Sequence, residues 1–191
     1  MSPTPDAFNY LAVLISIILG LGITHLLSGL GRLMQTRQRV RLYWPTIAWV
    51  GLLLVVQVQT WWAMFGLRGM QRWTFIGFVL VLLQPIVLYL LAALILPEAS
   101  SETADDLRAN YYAHSSWFFG LAVLLLVVSL LRDRVLAGHL PGSLNLAMHG
   151  LFFLGWGTAA ITRREWYHRW LVPYTALLMI AYIYELFGRL P

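Results

Sequence analysis

Long apolar runs, several of them near the length that carries a helix across a bilayer, follow one another along the chain with only short polar breaks. A hydrocarbon layer about 30 Å thick takes roughly 20 helical residues. Backbone N–H and C=O groups find no water there, so a spanning run of that length must be a helix that satisfies its own hydrogen bonds. The runs read as spans at about 8–30, 44–66, 73–96, 117–131, 143–162 and 170–186. They leave too little of the 191 residues for a separate soluble domain. The expectation is a single integral membrane domain over 1–191, an all-α polytopic transmembrane helix bundle with short loops.

Composition points the same way. Apolar residues make up 60% of the chain and charged ones 11%, where a soluble domain carries about 25% charged residues. The opening Met1–Asp6 has no basic residue ahead of the apolar run, unlike a secretory signal peptide, so the first run is expected to stay as a span. Cysteine is absent, which excludes disulfides, thiolate metal sites and cysteine nucleophiles.

All 13 basic residues are arginine, and they are scattered through short loops instead of forming one basic face. With a pI near 9.9, that pattern suits anionic lipid headgroups better than nucleic acid. Arg37, Arg39, Arg41, Arg163 and Arg164 are the headgroup candidates. Arginine bias also sets orientation. With the N-terminus outside, eight arginines (32, 37, 39, 41, 108, 163, 164, 169) fall on the inner side and five (68, 72, 132, 134, 189) on the other. This reads as a multi-pass protein of a bacterial inner membrane with both termini periplasmic. Trp and Tyr gather near span ends (Tyr43, Trp44, Trp73, Trp117, Trp166, Trp170), as in an interfacial belt.

Local signals set further expectations. Pro45 suits the first turn of the second span, and Pro97 stops the third. In the polar stretch 97–110, Ser101 or Thr103 is expected to cap a helix with Asp105 and Asp106 in its first turn. That helix would run along the interface through Tyr111 and Tyr112 before the fourth span. Arg132 to Gly142 reads as a loop. Two sets of three spans would have opposite orientations, the geometry of inverted-repeat transporters, but no repeat is found in the sequence.

The first span carries the sharpest pattern. Ala12, Ser16, Gly20, Thr24 and Ser28 recur every four residues as one small-residue stripe, with Gly22 and Gly29 beside it. Such stripes let helices approach closely, either within the chain or at a seam of a homo-oligomer. His25 lies beside the stripe and His149 sits in the fifth span, one turn after Asn145. A histidine in a span titrates, ligates or gates, or else donates a hydrogen bond to a neighbouring helix. Haem held by two histidines needs both at matching depth, and these two lie in opposite halves of the membrane, which disfavours it. His139 and His168 read as solvated loop residues.

Gln57 and Gln59 in the second span and Gln84 in the third mark the middle of the bundle. Gln84 precedes Pro85, which frees the carbonyl of Val81 one turn earlier and kinks the helix. Glu185 is the one acid well inside an apolar run, with Arg189 four residues on as a partner. No paired carboxylates, metal-ligand set, nucleophile elbow, phosphate loop or dinucleotide fingerprint is present, which argues against an enzyme. The opening Phe8–His25 resembles small bacterial membrane proteins without an assigned function, and that likeness implies no activity.

The expected function is a channel or transporter of an ion or small solute, its path lined by spans one to three with Thr24, His25, Gln57, Gln59 and Gln84. A haem- or quinone-binding membrane protein, or a structural or sensory component working through a protein partner, are the alternatives. The lack of cysteine makes orientation directly testable. A single cysteine at position 38 should react with an impermeant thiol reagent only after the cytoplasmic face is opened, and labelling from the periplasmic side alone would reverse the orientation.

Overall fold

The computed structural model describes residues 6–70, 73–97 and 106–187. Among these residues the chain forms six α-helices and no strand: α1 (Asp6–Thr36), α2 (Trp44–Ala63), α3 (Phe75–Ile95), α4 (Leu107–Ala137), α5 (Ser143–Ile161) and α6 (Glu165–Phe187). A 3-10 turn, Met64–Leu67, prolongs α2. Five of the helices are long and apolar enough to cross a membrane. The exception is α6, which opens on Glu165, His168 and Arg169 and holds no long enough apolar stretch among its described residues, although at 23 residues it returns about 34 Å alongside α5.

The surface is inverted relative to a soluble protein. Large apolar side chains such as Phe75 (82% exposed) and Ile161 (88%) point outward from the bundle, while Thr46, Gln57, Asn110, His149, His168 and Thr175 are buried. A surface of that kind is solvated by lipid, where a polar group gains by turning toward protein. In the packing order α3 lies between α1 and α4, α4 between α3 and α5, and α6 beside α5 and α2. The most connected helix is α2, which touches α1, α3, α4 and α6. Its Trp49 sits edge-on against Phe118 and Phe119 of α4 and Trp156 of α5, with centroids 5.5, 5.3 and 6.4 Å away. These aromatic contacts form a layer that joins α2, α4 and α5.

Helix ends differ from the sequence expectation in two places, both on α4. The cap is Asp106, whose Oδ1 accepts from the N–H groups of Arg108 (2.9 Å) and Ala109 (3.0 Å). Ser101, Thr103 and Asp105 lie outside the described residues. From that cap α4 runs without a break to Ala137, so Tyr111 and Tyr112 belong to the same helix as the fourth span, and Arg132 and Asp133 are helical. Charges at the end of an apolar run resemble a loop in a hydropathy reading, but i→i−4 bonding continues until Gly138, whose positive φ of 76° ends the helix. The loop is left with only residues 138–142.

On α1 the face in contact with the bundle is Leu11, Ile15, Leu19, Gly22, Leu26 and Gly29, all buried. The four-residue stripe lies beside it: Ser16, Gly20, Thr24 and Ser28 are exposed and Ala12 half-buried, with Ser16 Oγ accepting from Trp61 Nε1 at 3.2 Å. Gly22 and Gly29 are the close-approach points. A Cβ at position 22 would lie 2.6 Å from Gln57 Oε1, whereas one at position 20 would meet nothing within 4 Å. Gly22→Val should therefore lower stability in detergent by about 1–3 kcal/mol through overpacking, and Gly20→Val should not, as measured by thermal unfolding of both variants.

Candidate functional site

Buried polar side chains converge in two places, one toward each end of the bundle. The larger is a cavity of about 570 Å³ between α2, α3, α4, α5 and α6. Its position follows from the helix directions. Proline prevents a backbone bond at position 85, the Val81 carbonyl is released, and Gln84 faces the C-terminal part of α4. There Arg132 Nη1 donates to Gln84 Oε1 at 2.7 Å, while its Nε and Nη2 donate to Asp133 Oδ1 at 2.9 and 2.7 Å. The Arg132 and Asp133 side chains are 22% and 26% exposed, so the pair is held mostly out of solvent. A guanidinium in an apolar bundle needs a counter-charge and bonded acceptors, and Asp133 and Gln84 supply them.

A second cavity of about 360 Å³ lies against the same cluster. Both cavities are lined by Thr60, Gln84, Arg132 and Asp133, and the second also by Ile15, Val81 and Pro85. The ion pair with its glutamine is thus shared by both hollows. Across the larger cavity α5 presents Asn145 and His149, which sit one turn apart. His149 Nδ1 donates to the Asn145 carbonyl at 2.9 Å, because a carbonyl can only accept; Nε2 is then the acceptor of the neutral ring. Tyr182 of α6 packs edge-on to His149 at 6.0 Å and lies beside the Asn145 side chain. Asn145 Oδ1 is buried without a hydrogen-bond partner. The inner wall is Phe152, Trp156 and Met179, and Trp156 is held by a 3.2 Å bond to Thr175 Oγ1. Among the described residues no group of three or more His, Asp or Glu could hold a metal ion.

The sequence candidates separate around this site. Gln59, Gln84 and His149 line the large cavity. Gln57 does not: it is 1% exposed, sealed against Gly22 at the α1–α2 seam, with neither amide atom hydrogen-bonded. His25 packs edge-on to Tyr89 of α3 at 6.5 Å, on a different seam from His149, and Thr24 is exposed. Spans one to three therefore do not gather His25, Gln57 and Gln84 into one path; α1 contributes only Ile15 to either cavity. Glu185 is half-buried, and its expected partner Arg189 lies outside the described residues. Of the headgroup candidates, Arg37, Arg39, Arg41, Arg163 and Arg164 are all exposed at one end of the bundle. Arg132 and Asp133 escaped the sequence reading as site residues, although Asn145 and His149 at i, i+4 spacing were visible.

The second convergence is at the arginine-rich end and corrects the reading of His168 as solvated. His168 is 0% exposed. Its Nε2 donates to the Thr162 carbonyl at 2.8 Å, so Nδ1 accepts from the Tyr111 hydroxyl at 3.0 Å. Beside it the Tyr43 and Tyr112 hydroxyls share a 3.0 Å bond. Burial, with the Tyr112 bond, holds the Tyr43 hydroxyl well above the ordinary phenol range. The Arg41 carbonyl accepts from Leu107 N–H at 3.2 Å, and Arg108 reaches Glu165 at 2.7 Å. Four segments are thereby tied together: the α1–α2 loop, the start of α4, the α5–α6 loop and the start of α6. His139, by contrast, is exposed in the 138–142 loop.

His168 precedes the apolar part of α6, and burial lowers its pKa below the ordinary 6.5, the Thr162 bond partly offsetting this. The folded protein binds that proton less readily than the unfolded chain. Stability is then full above the ordinary histidine pKa and falls as pH drops through it. The melting midpoint in detergent should decline between about pH 7 and 5. In His168→Gln that decline should flatten; an identical decline in the variant would assign it elsewhere. Set against known proteins, the chain matches no family model, no curated protein and no solved structure.

Proposed function

We propose that this membrane protein is a transporter of a small polar or anionic solute, held in the cavity beside Arg132. The observation that carries the reading is the Arg132–Gln84–Asp133 cluster in the wall of a cavity of about 570 Å³, large enough for a small organic molecule. An ionisable group inside a spanning bundle is costly, and its usual use there is to meet a solute or ion. The cavity reaches the end of α2 at Trp62, Phe65 and Gly66, which are exposed, and stops inside at Trp156 against the Trp49 layer. A hollow open toward one end and closed toward the other is one half of an alternating-access cycle. The His149 Nε2 acceptor and the Tyr182 hydroxyl offer the solute an acceptor and a donor opposite the guanidinium.

Protein reconstituted in liposomes should carry at least one ion, proton or small polar solute down an imposed gradient. Arg132→Gln should slow that flux by about 10–100-fold, the loss expected for a hydrogen bond to a charged group. Its melting midpoint reports separately whether the bundle survives. A preparation that passes nothing under any gradient, in either membrane orientation, would sink the reading.

A further inference from the structure

A separate hollow of about 360 Å³ lies on the outer side of the α5–α6 hairpin, at the arginine-rich end. Trp166, Trp170 and Tyr174, spaced one turn apart on α6, form one wall, and Gly155 and Thr158 of α5 form the floor. The groove is held open by side-chain bonds. The Tyr167 hydroxyl donates to the Gly155 carbonyl at 2.9 Å, and the Tyr174 hydroxyl to the Leu151 carbonyl at 3.1 Å. Glycine leaves the floor bare, since a Cβ at position 155 would lie 2.9 Å from Tyr174 Cε1. Trp166 and Trp170 remain 59% and 68% exposed, large aromatic surfaces turned away from the bundle.

The charge on the loop that leads into Trp166 points to the chemistry that would fill this groove. Arg163 and Arg164 form the hairpin loop, both exposed and without an ion pair among the described residues. Arg169 reaches Glu165 only at 3.8 Å, and that carboxylate is already engaged by Arg108 at 2.7 Å. Positive charge is therefore in excess where an aromatic groove meets the level of the lipid headgroups. Arginine binds phosphate with paired N–H donors, and indole rings favour the same interfacial depth. A phosphate with an apolar tail is the complement of this arrangement. We propose that the α5–α6 hairpin binds one anionic phospholipid, its acyl chain along Trp166, Trp170 and Tyr174 and its phosphate at Arg163 and Arg164. The site is independent of the cavity assigned to transport.

Thermal unfolding in a non-ionic detergent, with added phosphatidylglycerol, phosphatidylcholine or inorganic phosphate, tests this. Phosphatidylglycerol should raise the midpoint and the other two should not. In Arg163→Gln/Arg164→Gln its apparent affinity should fall by about 30-fold, the combined contribution of two basic residues at an anionic surface. Thr158→Phe, which fills the groove from an exposed position, should abolish the preference with both arginines intact. Arg37→Gln/Arg39→Gln, on the neighbouring loop, should leave it unchanged. Equal stabilisation by phosphatidylcholine or by inorganic phosphate overturns the proposal. So does a preference that survives either hairpin variant, or one that is lost in the Arg37 and Arg39 variant.

Discussion

Inside hydrocarbon a polar side chain has no water to turn to, and the clustering of charged and polar groups within this bundle follows from that lack. Arg132 illustrates the strength of the constraint. It lies within a helix that crosses the membrane, where a lone guanidinium is costly, and three of its nitrogens are bonded to Asp133 and Gln84. The proline after Gln84 adds to the same local polarity, because the carbonyl it frees at Val81 belongs to a residue lining the adjoining cavity. A proline, an amide and an ion pair thus lie together in the bundle. Each satisfies or neighbours what another leaves open.

The two ends of the bundle meet the constraint in different ways. At the arginine-rich end the groups are paired off: Tyr111 with His168, His168 with the Thr162 carbonyl, Tyr43 with Tyr112, and Arg108 with Glu165. The consequence is rigidity across four chain segments, although Thr46 Oγ1 beside them is buried without a hydrogen-bond partner. Around the large cavity the bonding is incomplete. Asn145 Oδ1 is unpartnered, His149 keeps Nε2 as an acceptor, and empty volume lies beside them. Polar groups lining a cavity suit a solute, whereas bonds that join one chain segment to another suit a clamp.

Much of the fold could be read from the chain, because apolar run length and helix rise are tied by bilayer thickness. All-α architecture and membrane-crossing helices followed directly. The length of α4 was hidden, since Arg132 and Asp133 look like the start of a loop until a partner on α3 is known, and hydropathy carries no information about partners. His168 was misread for the same reason. Two residues away from Trp166 and beside Arg169 it looks exposed, but Tyr111, 57 residues earlier in the chain, bonds it, and Tyr112 and Phe119 pack on its ring. The stripe on α1 shows the complementary limit. Its period was plain, but period does not say which way a face turns, and contact falls on the adjacent face through Gly22 and Gly29.

One helix joins the two ends. Tyr111 in the clamp and Arg132 at the cavity are both on α4, 21 residues apart, or about 32 Å along an unbroken helix. Between them Phe118 and Phe119 press against Trp49 of α2, and Trp49 in turn meets Trp156 at the inner wall of the cavity. On the transport reading, a cavity that must open toward the clamped end can do so only if this aromatic layer parts. A rigid α4 anchored at Asp106 and Tyr111 is poorly suited to move relative to that end. Because Tyr111–His168 and Arg108–Glu165 also fix the start of α6 to α4, movement is left to the far halves of α5 and α6, which line the cavity with Asn145, His149 and Tyr182. The clamp then acts as the fixed frame, and the Trp156–Thr175 bond, which joins α5 to α6 at the cavity's inner wall, keeps that pair together as it shifts.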